Sequence, residues 1–198
     1  MKIVEVKVFK FEELNDAAKQ VAIAHQRKVE NDNSNFVDQF TPQCVEDAKE
    51  AGFEDPKFQY SLSYSQGDGL SFSAKRYTKL VDVFKEVLGP GKEKTAQILA
   101  DNMTQVFKGN DARYCYASKN QVDIYLDNWT SSINVVNTNR INEVVAKVLA
   151  KVEDIYMDLC SKLEKEGYAE LENIDSDEYL KDAIEANEYE FTEDGKRF

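Results

Sequence analysis

The sequence predicts an α+β fold in which antiparallel β-hairpins pack with several helices, one of them a long helix near the C-terminal third. Two observations support this prediction. Short segments alternate apolar and polar residues around turn residues, as the strands of a hairpin do, whereas longer segments repeat apolar residues every three or four positions, as amphipathic helices do. Because the hairpins are interspersed with helices, an antiparallel sheet is favoured over a doubly wound parallel one.

The first half of the chain predicts a strand, two helices and a hairpin. Asn15 or Asp16 can cap the first helix, and Gly52 can end the second in a left-handed conformation. Gly67 and Gly69 supply the positive φ that a tight hairpin turn needs. The expected elements are a strand over 3–11, a helix over 15–31, a helix over 36–51 that Pro42 starts or kinks, and a hairpin that joins 58–65 to 70–74.

The second half predicts four helices and four further strands. Gly167 is expected to end the long helix, and Asp175 with Glu178 matches the capping-box spacing at the start of the acidic helix that follows. The expected elements are helices over 77–88 and 93–107, a hairpin that joins 113–118 to 121–127, a strand over 131–136, the long helix over 141–166, the acidic helix over 176–187 and an edge strand over 188–192.

Length and cysteine usage predict one intracellular domain. The 198 residues are expected to form a single domain, 1–198, with an acidic helix–strand segment at 164–198. Cys44, Cys115 and Cys160 lie too far apart for a zinc or dithiol motif. Charges interrupt every short apolar run after Met1, so neither a signal peptide nor a transmembrane helix is expected, and the predicted location is the cytoplasm.

Acidic charge is concentrated near the C-terminus. The chain carries a formal net charge of −12, and residues 164–194 hold 13 acidic side chains against Lys165 and Lys181. Such a segment repels a phosphate backbone, so direct nucleic-acid binding is not expected. Its simplest role is solubility. The functional alternative is mimicry of nucleic-acid charge toward a partner with a basic groove, for which the candidate residues are Glu170, Glu172, Asp177 and Glu178.

No familiar catalytic or metal-binding motif is present. The sequence lacks a phosphate-binding glycine loop, a dinucleotide fingerprint and a metalloprotease motif, and it contains a single histidine. His25 falls on the apolar stripe of the first predicted helix, which favours a half-buried structural role. We therefore predict no catalytic residues, no metal and no cofactor.

Tyrosines on the predicted hairpins form a second candidate surface. Tyr60 and Tyr64 share one strand face, and Tyr114 and Tyr116 share another. Such rings usually pack the core while their hydroxyls reach water. Because tyrosine is enriched in binding hot spots, the same side chains can instead form a partner-binding surface.

The first hairpin also offers a small-ligand alternative. Lys75 and Arg76 follow the hairpin and could hold a phosphate, and the Asp68 carboxylate lies between two glycines at its tip. A turn-forming aspartate and a solvated basic pair are the simpler interpretations of these residues. Together the three define the candidate ligand site of a nucleotide-sequestering or phosphoryl-transfer protein.

Short passages at both ends of the chain and around the first hairpin resemble a known family. The passages are Phe11-Glu12-Glu13-Leu14 leading into Ala17-Ala18-Lys19 and Ala22, Glu46-Asp47-Ala48-Lys49 with Gly52, Ser65-Gln66-Gly67-Asp68-Gly69 with Phe72, and Asn187-Glu188-Tyr189-Glu190-Phe191-Thr192-Glu193-Asp194-Gly195. Together they resemble an uncharacterised family of small bacteriophage and prophage proteins, some of which carry an antitoxin label. The resemblance implies a phage accessory protein acting in an infected bacterial cell.

These observations favour a non-enzymatic phage accessory protein that binds and neutralises a host protein. The expected partner is a toxin or a component of an anti-phage defence system, with a basic groove that the acidic segment fits. The alternatives are the nucleotide-binding or phosphoryl-transfer protein and a virion or scaffold component. The oligomeric state is left open by the sequence.

Overall fold

The computed structural model describes residues 6–32, 35–109, 122–128 and 138–198. These residues form an α+β fold with short antiparallel strand pairs, as predicted. The chain divides into two compact units: unit 1 comprises Met1–Phe40 and Tyr168–Phe198, and unit 2 comprises Thr41–Gly167. Two compact units can belong to one domain, so the single domain over 1–198 stays a prediction.

Unit 1 brings the two ends of the sequence together. Its complete elements are strand β1 (Phe9–Lys10), a 3-10 turn (Phe11–Glu13), helix α1 (Asp16–Asp32), helix α6 (Asp177–Ala186) and strand β8 (Glu190–Phe191). Strand β1 pairs antiparallel with β8, so that Phe9 lies opposite Phe191. This pairing joins segments that are about 180 residues apart in the sequence.

Apolar residues of α1 and α6 form the core of unit 1. Asn15 caps α1 as predicted, because its Oδ1 accepts a hydrogen bond from the Ala18 N–H at 2.9 Å. Helix α6 is capped by Ser176 rather than Asp175, since the Ser176 Oγ accepts a hydrogen bond from the Tyr179 N–H at 3.2 Å. The buried cluster consists of Phe11, Leu14, Ala18, Ala22, Ile23, Leu180, Ile184 and Phe191.

Unit 2 holds most of the strands. Two helices cross the boundary between the units: α2 (Asn35–Ala51) and α5 (Thr138–Ile174). The elements within unit 2 are β2 (Phe53–Glu54), β3 (Lys57–Ser61), β4 (Gly69–Ser73), β5 (Arg76–Tyr77), α3 (Leu80–Leu88), α4 (Glu93–Asp101), β6 (Met103–Gly109) and β7 (Val122–Asn128). Strand β3 pairs with β4, β2 with β5, and β6 with β7.

An aromatic cluster forms the centre of unit 2. Phe53 is buried among the rings of Phe72, Tyr77, Phe107 and Tyr156, with centroid distances of 4.9 to 6.1 Å. The Tyr156 hydroxyl accepts a hydrogen bond from the Phe72 N–H and donates one to the Phe72 carbonyl, both at 2.9 Å. A side chain of α5 thus satisfies the backbone N–H and carbonyl of Phe72 on β4.

The end of α2 and one of the two hairpin glycines confirm the glycine predictions. Gly52 has a φ of 111° and ends α2, with its N–H donating to the Ala48 and Lys49 carbonyls. Gly67 has a φ of 105°, in the left-handed region expected of a turn glycine. Gly69 does not have the predicted positive φ, because it belongs to the extended strand β4. The turn is longer than the four residues predicted, because β3 ends at Ser61 and the loop runs over 62–68.

The region after α3 differs from the sequence prediction. The helix expected over 93–107 ends at Asp101, and the residues that follow form β6. Tertiary contacts explain the change: the Gln105 Oε1 accepts a hydrogen bond from the Tyr77 N–H at 2.6 Å, and Phe107 enters the aromatic cluster. Strand β7 pairs antiparallel with β6. The segment 113–118, its predicted hairpin partner, lies outside the described residues, as does the strand expected over 131–136.

Several element bounds also differ. Helix α5 continues through Gly167 to Ile174, because an interior glycine weakens a helix by only about 1 kcal/mol. Pro42 lies inside α2 and does not start it, and Tyr77 belongs to β5, before α3 begins. Within 6–11, strand structure is confined to Phe9–Lys10.

Candidate functional site

Helix α6 presents a row of carboxylates to solvent, which we call the acidic face: Glu178, Asp182 and Glu185. These residues follow i, i+4, i+7 spacing and are exposed, while Leu180 and Ile184 on the opposite side are buried. The helical rise separates successive carboxylates by about 6 Å and about 4.5 Å along the axis. None of the three forms an ion pair with a residue that the structure describes. Lys181 lies beside them and carries the one opposite charge on this side of α6.

The surrounding unit is strongly acidic. Unit 1 contains 18 acidic and 9 basic residues, a net charge of −9, whereas unit 2 has a net charge of −3. Most of the charge of the protein is therefore carried by the unit that bears the acidic face, which raises the negative potential there.

The four acidic residues predicted as a partner-binding set have different surroundings. Asp177 forms an ion pair with Arg27 at 2.6 Å, and Arg27 also reaches Asp175 at 3.1 Å. Glu170 and Glu172 lie on the last turns of α5, half-buried and exposed respectively. Glu178 alone of the predicted set belongs to the acidic face. The sequence gives no signal for the Arg27 contacts, because the partners are about 150 residues apart.

The described half of the predicted tyrosine surface, Tyr60 and Tyr64, is not assembled as predicted. Tyr60 lies on β3, where its hydroxyl shares a hydrogen bond of 2.7 Å with the Thr41 hydroxyl, and burial raises the pKa of Tyr60. Tyr64 lies in the loop after β3 with a φ of 57° and a 67% exposed side chain. The two rings therefore do not share a strand face. Tyr114 and Tyr116 lie outside the described residues.

Asp68 organises the loop of the first hairpin. Its carboxylate accepts hydrogen bonds from the Ser63 and Ser65 N–H groups, at 2.6 and 2.9 Å, and from the hydroxyls of Ser61, Ser63 and Ser65. Desolvation raises the pKa of Asp68, but these bonds outweigh it and hold the pKa well below its ordinary range. The turn-forming role explains this residue.

Lys75 and Arg76 are both bound by one carboxylate that the sequence analysis missed. The Lys75 Nζ lies 2.5 Å from Glu54 Oε1, and Arg76 forms an ion pair with the other oxygen of Glu54. The hydrogen bonds from Lys75 and then from Arg76 lower the pKa of Glu54. The basic pair follows one end of β4, while Asp68 precedes the other, about 20 Å away by strand rise. The predicted ligand site that combines the three residues is therefore not brought together.

Lys75 also borders two open clefts of unit 2. One has a volume of about 580 Å³ and lies among β5, α3, α4 and β6, with Arg76 and Gln97 at its edge. The other has a volume of about 610 Å³ and is bordered by Lys49 and Lys57 as well as Lys75. Lys49 and Lys57 were not predicted as site residues, because residues 49, 57 and 75 form no motif in the sequence.

Comparison of the chain with protein-family models, with curated proteins and with solved structures finds no match. The resemblance to a family of phage proteins therefore stays a prediction. In the part of the chain that the structure describes, no helix has both the length and the apolar composition needed to cross a membrane.

His25 does not lie on the buried side of α1, contrary to the sequence prediction. Its side chain is exposed, whereas Ala22, Ile23 and Gln26 are buried. The apolar side of α1 is narrower than the predicted stripe, because Val21 is also 44% exposed. Among the described residues, no group of three or more histidine, cysteine or acidic side chains is arranged to hold a metal ion.

Two cysteines of unit 2, Cys44 and Cys160, are buried in its interior. Both are reduced thiols without solvent exposure, and burial raises the pKa of Cys44 to about 12. Because the thiolate is the nucleophilic form, burial and the raised pKa both disfavour reaction of Cys44 at neutral pH.

Substitution of Asp68 by asparagine is expected to destabilise the first hairpin at neutral pH. The folded-state pKa of Asp68 is depressed, so its ionised form contributes stability above the unfolded pKa of about 3.9, and this contribution is lost as the pH falls toward the folded pKa. Urea unfolding should show a lower midpoint for Asp68→Asn at pH 7 and a smaller difference from wild type at about pH 3. A difference that does not change with pH would contradict this role.

Proposed function

We propose that this protein is a non-enzymatic binding protein whose acidic face docks into the basic groove of a host protein and thereby neutralises it. The observation that carries the proposal is the segregation of charge. Unit 1 holds twice as many acidic as basic residues, and Glu178, Asp182 and Glu185 project from α6 with no ion pair among the described residues. If the negative charge served solubility alone, the carboxylates would not need to form a row along one side of a helix.

The geometry of α6 supports charge mimicry of nucleic acid. Phosphates follow one another at about 3.4 Å of axial rise along each strand of a duplex. Carboxylates spaced about 4.5 to 6 Å apart along one side of a helix approximate this linear density of negative charge. Leu180 and Ile184 anchor α6 in the unit 1 core, so the acidic face is held rigidly. A preorganised row of charges loses less conformational entropy on binding than a flexible acidic tail.

The biological setting follows from the family resemblance. We place the protein in the cytoplasm of an infected bacterium, where a phage accessory protein would meet a toxin or an anti-phage defence component. Nucleases and other proteins that bind nucleic acid carry the basic grooves that this charge pattern complements. The proposed role is occlusion of such a groove, so no catalytic residue is required.

Reversal of the acidic face tests the proposal. A partner is first isolated from infected host lysate, and its affinity for the purified full chain is then measured by calorimetry. The triple variant Glu178→Lys, Asp182→Lys, Glu185→Lys is expected to weaken binding about a hundredfold or more while remaining folded, because the interface would then carry like charges. Wild-type affinity should fall about tenfold or more between about 50 and 200 mM salt, as phosphate-like contacts do.

The control variant reverses the same number of charges on another surface. Glu153, Asp154 and Asp158 are exposed on α5, and none forms an ion pair with a described residue. Their replacement by lysine changes the net charge equally and should alter the affinity by less than about threefold. Equal losses in both triple variants, or binding insensitive to salt, would contradict docking through the acidic face.

A further inference from the structure

The lining of one cleft in unit 2 contains more basic than acidic side chains. The cleft, which we call the lysine cleft, has a volume of about 610 Å³ and lies between α2 and the adjoining ends of β3 and β4. Lys49, Lys57 and Lys75 border it, and Asp55 is the acidic residue of its lining. Three ammonium groups against one carboxylate are unexpected in a chain with a net charge of −12. The volume falls in the range of about 300–1,000 Å³ typical of small-molecule sites.

The three lysines are available to an anion to different degrees. Lys57 is exposed and forms no ion pair with a described residue. Lys49 is paired with Glu46 at 2.8 Å and Lys75 with Glu54 at 2.5 Å, and the lysine side chains remain 49% and 63% exposed. Water screens ion pairs at lysines as exposed as these, so both ammonium groups can turn toward a multiply charged ligand.

Polar and apolar side chains both line the lysine cleft, and together they narrow the class of ligand. Ser73 lies directly opposite Lys57 in the β3–β4 ladder, which places their Cβ atoms about 5 Å apart. The Ser73 hydroxyl can therefore donate to the same anion as the Lys57 ammonium. Pro56 and Phe107 line the cleft and are otherwise buried, so the site also contains apolar surface.

We propose that the lysine cleft binds a small phosphate-bearing molecule. Lys57, Lys75 and Ser73 would hold the phosphate groups, since lysine binds phosphate as a point charge and a hydroxyl adds a directed hydrogen bond. The rest of the molecule would lie against Pro56 and Phe107. The site is separate from the acidic face of unit 1 and does not depend on the partner proposed for it.

Calorimetry of the full chain with three probes tests this assignment. Adenosine 5′-diphosphate and inorganic pyrophosphate are expected to bind at millimolar concentration or tighter, and adenosine is not. Tighter binding of the nucleotide than of pyrophosphate would identify an organic phosphate as the ligand class. Equal affinity would instead identify an inorganic polyphosphate.

Two matched variants locate the binding. Lys57→Gln should weaken both phosphate probes about tenfold, whereas Lys94→Gln, at an exposed position on α4 that does not line the cleft, should leave the affinity within about twofold of wild type. Thermal unfolding checks that each variant is folded. Both variants are expected to fold, because both lysines are exposed. The assignment is overturned if neither phosphate probe binds, or if the two variants weaken binding equally.

Discussion

Replacement of Phe53 by alanine is expected to lower the free energy of unfolding by about 3–5 kcal/mol, because it removes the ring at the centre of the unit 2 core. Phe53 is 1% exposed, and its centroid lies 4.9 Å from that of Phe72 and 5.0 Å from that of Tyr77. The smaller side chain leaves a cavity that four aromatic rings cannot fill without losing their mutual packing. Urea unfolding followed by tyrosine and tryptophan fluorescence would measure the loss.

A phenylalanine outside the core provides the matched control. Phe198 is 70% exposed, and the hydrogen bond from its N–H to the Glu190 carbonyl does not depend on the side chain. Phe198→Ala should change the free energy of unfolding by less than about 0.5 kcal/mol. A decrease of less than about 1 kcal/mol in the free energy of unfolding for Phe53→Ala would show that Phe53 does not organise the core.

The parts of the fold that depend on local sequence could be predicted. The Asn15 cap, the end of α2 at Gly52 and the positive φ of Gly67 each follow from what one residue does to its own backbone or to the next turn. The hairpin of β3 and β4 follows from period-2 alternation on both sides of a glycine turn. Each of these signals lies within one short segment of the sequence, the longest being the hairpin over 57–73.

The parts that depend on distant contacts could not be predicted. Residues 103–107 continue the helical spacing of α4, yet they become a strand because Gln105 and Phe107 contact β5 and the aromatic cluster. The hydroxyl of Tyr156 binds the backbone of Phe72, 84 residues earlier in the chain. Tertiary contacts override local propensity in these cases, and no periodicity reports them.

The candidate sites also divide into features that local sequence predicts and features that depend on distant contacts. The acidic face could be predicted in part, because Glu178 lies in a segment whose charge density is visible in the sequence. The ion pairs beside the acidic face could not be predicted, because Arg27 binds Asp175 and Asp177, which lie about 150 residues later in the sequence. Of the lysine cleft, only Lys75 had a sequence signal, because folding alone brings it together with Lys49 of α2 and Lys57 of β3.

Gly195, the single glycine in the sequence of unit 1, occupies a constrained position. It has a φ of 80° and its N–H donates to the Thr192 carbonyl at 2.9 Å, in a tight turn after β8. A Cβ atom at this position would lie 2.1 Å from the carbonyl oxygen of Ala18 and 2.9 Å from its Cα. Because these are backbone atoms of α1, no side-chain rotation can relieve the overlap. Only displacement of the turn from α1 would make room.

Gly195→Ala is therefore expected to lower the free energy of unfolding by about 3 kcal/mol, from the strain of a positive φ together with the displacement of the turn. The matched control is Gly91→Ala in unit 2, where φ is 77° and no atom lies within 4 Å of the added Cβ. This control should show the backbone strain alone, about 1 kcal/mol. Urea unfolding of both variants measures the difference, and equal losses would mean that the turn does not press against Ala18. Since the turn adjoins β8 and α1, Gly195→Ala should also increase amide hydrogen exchange in α1 and α6, while Gly91→Ala leaves their exchange unchanged.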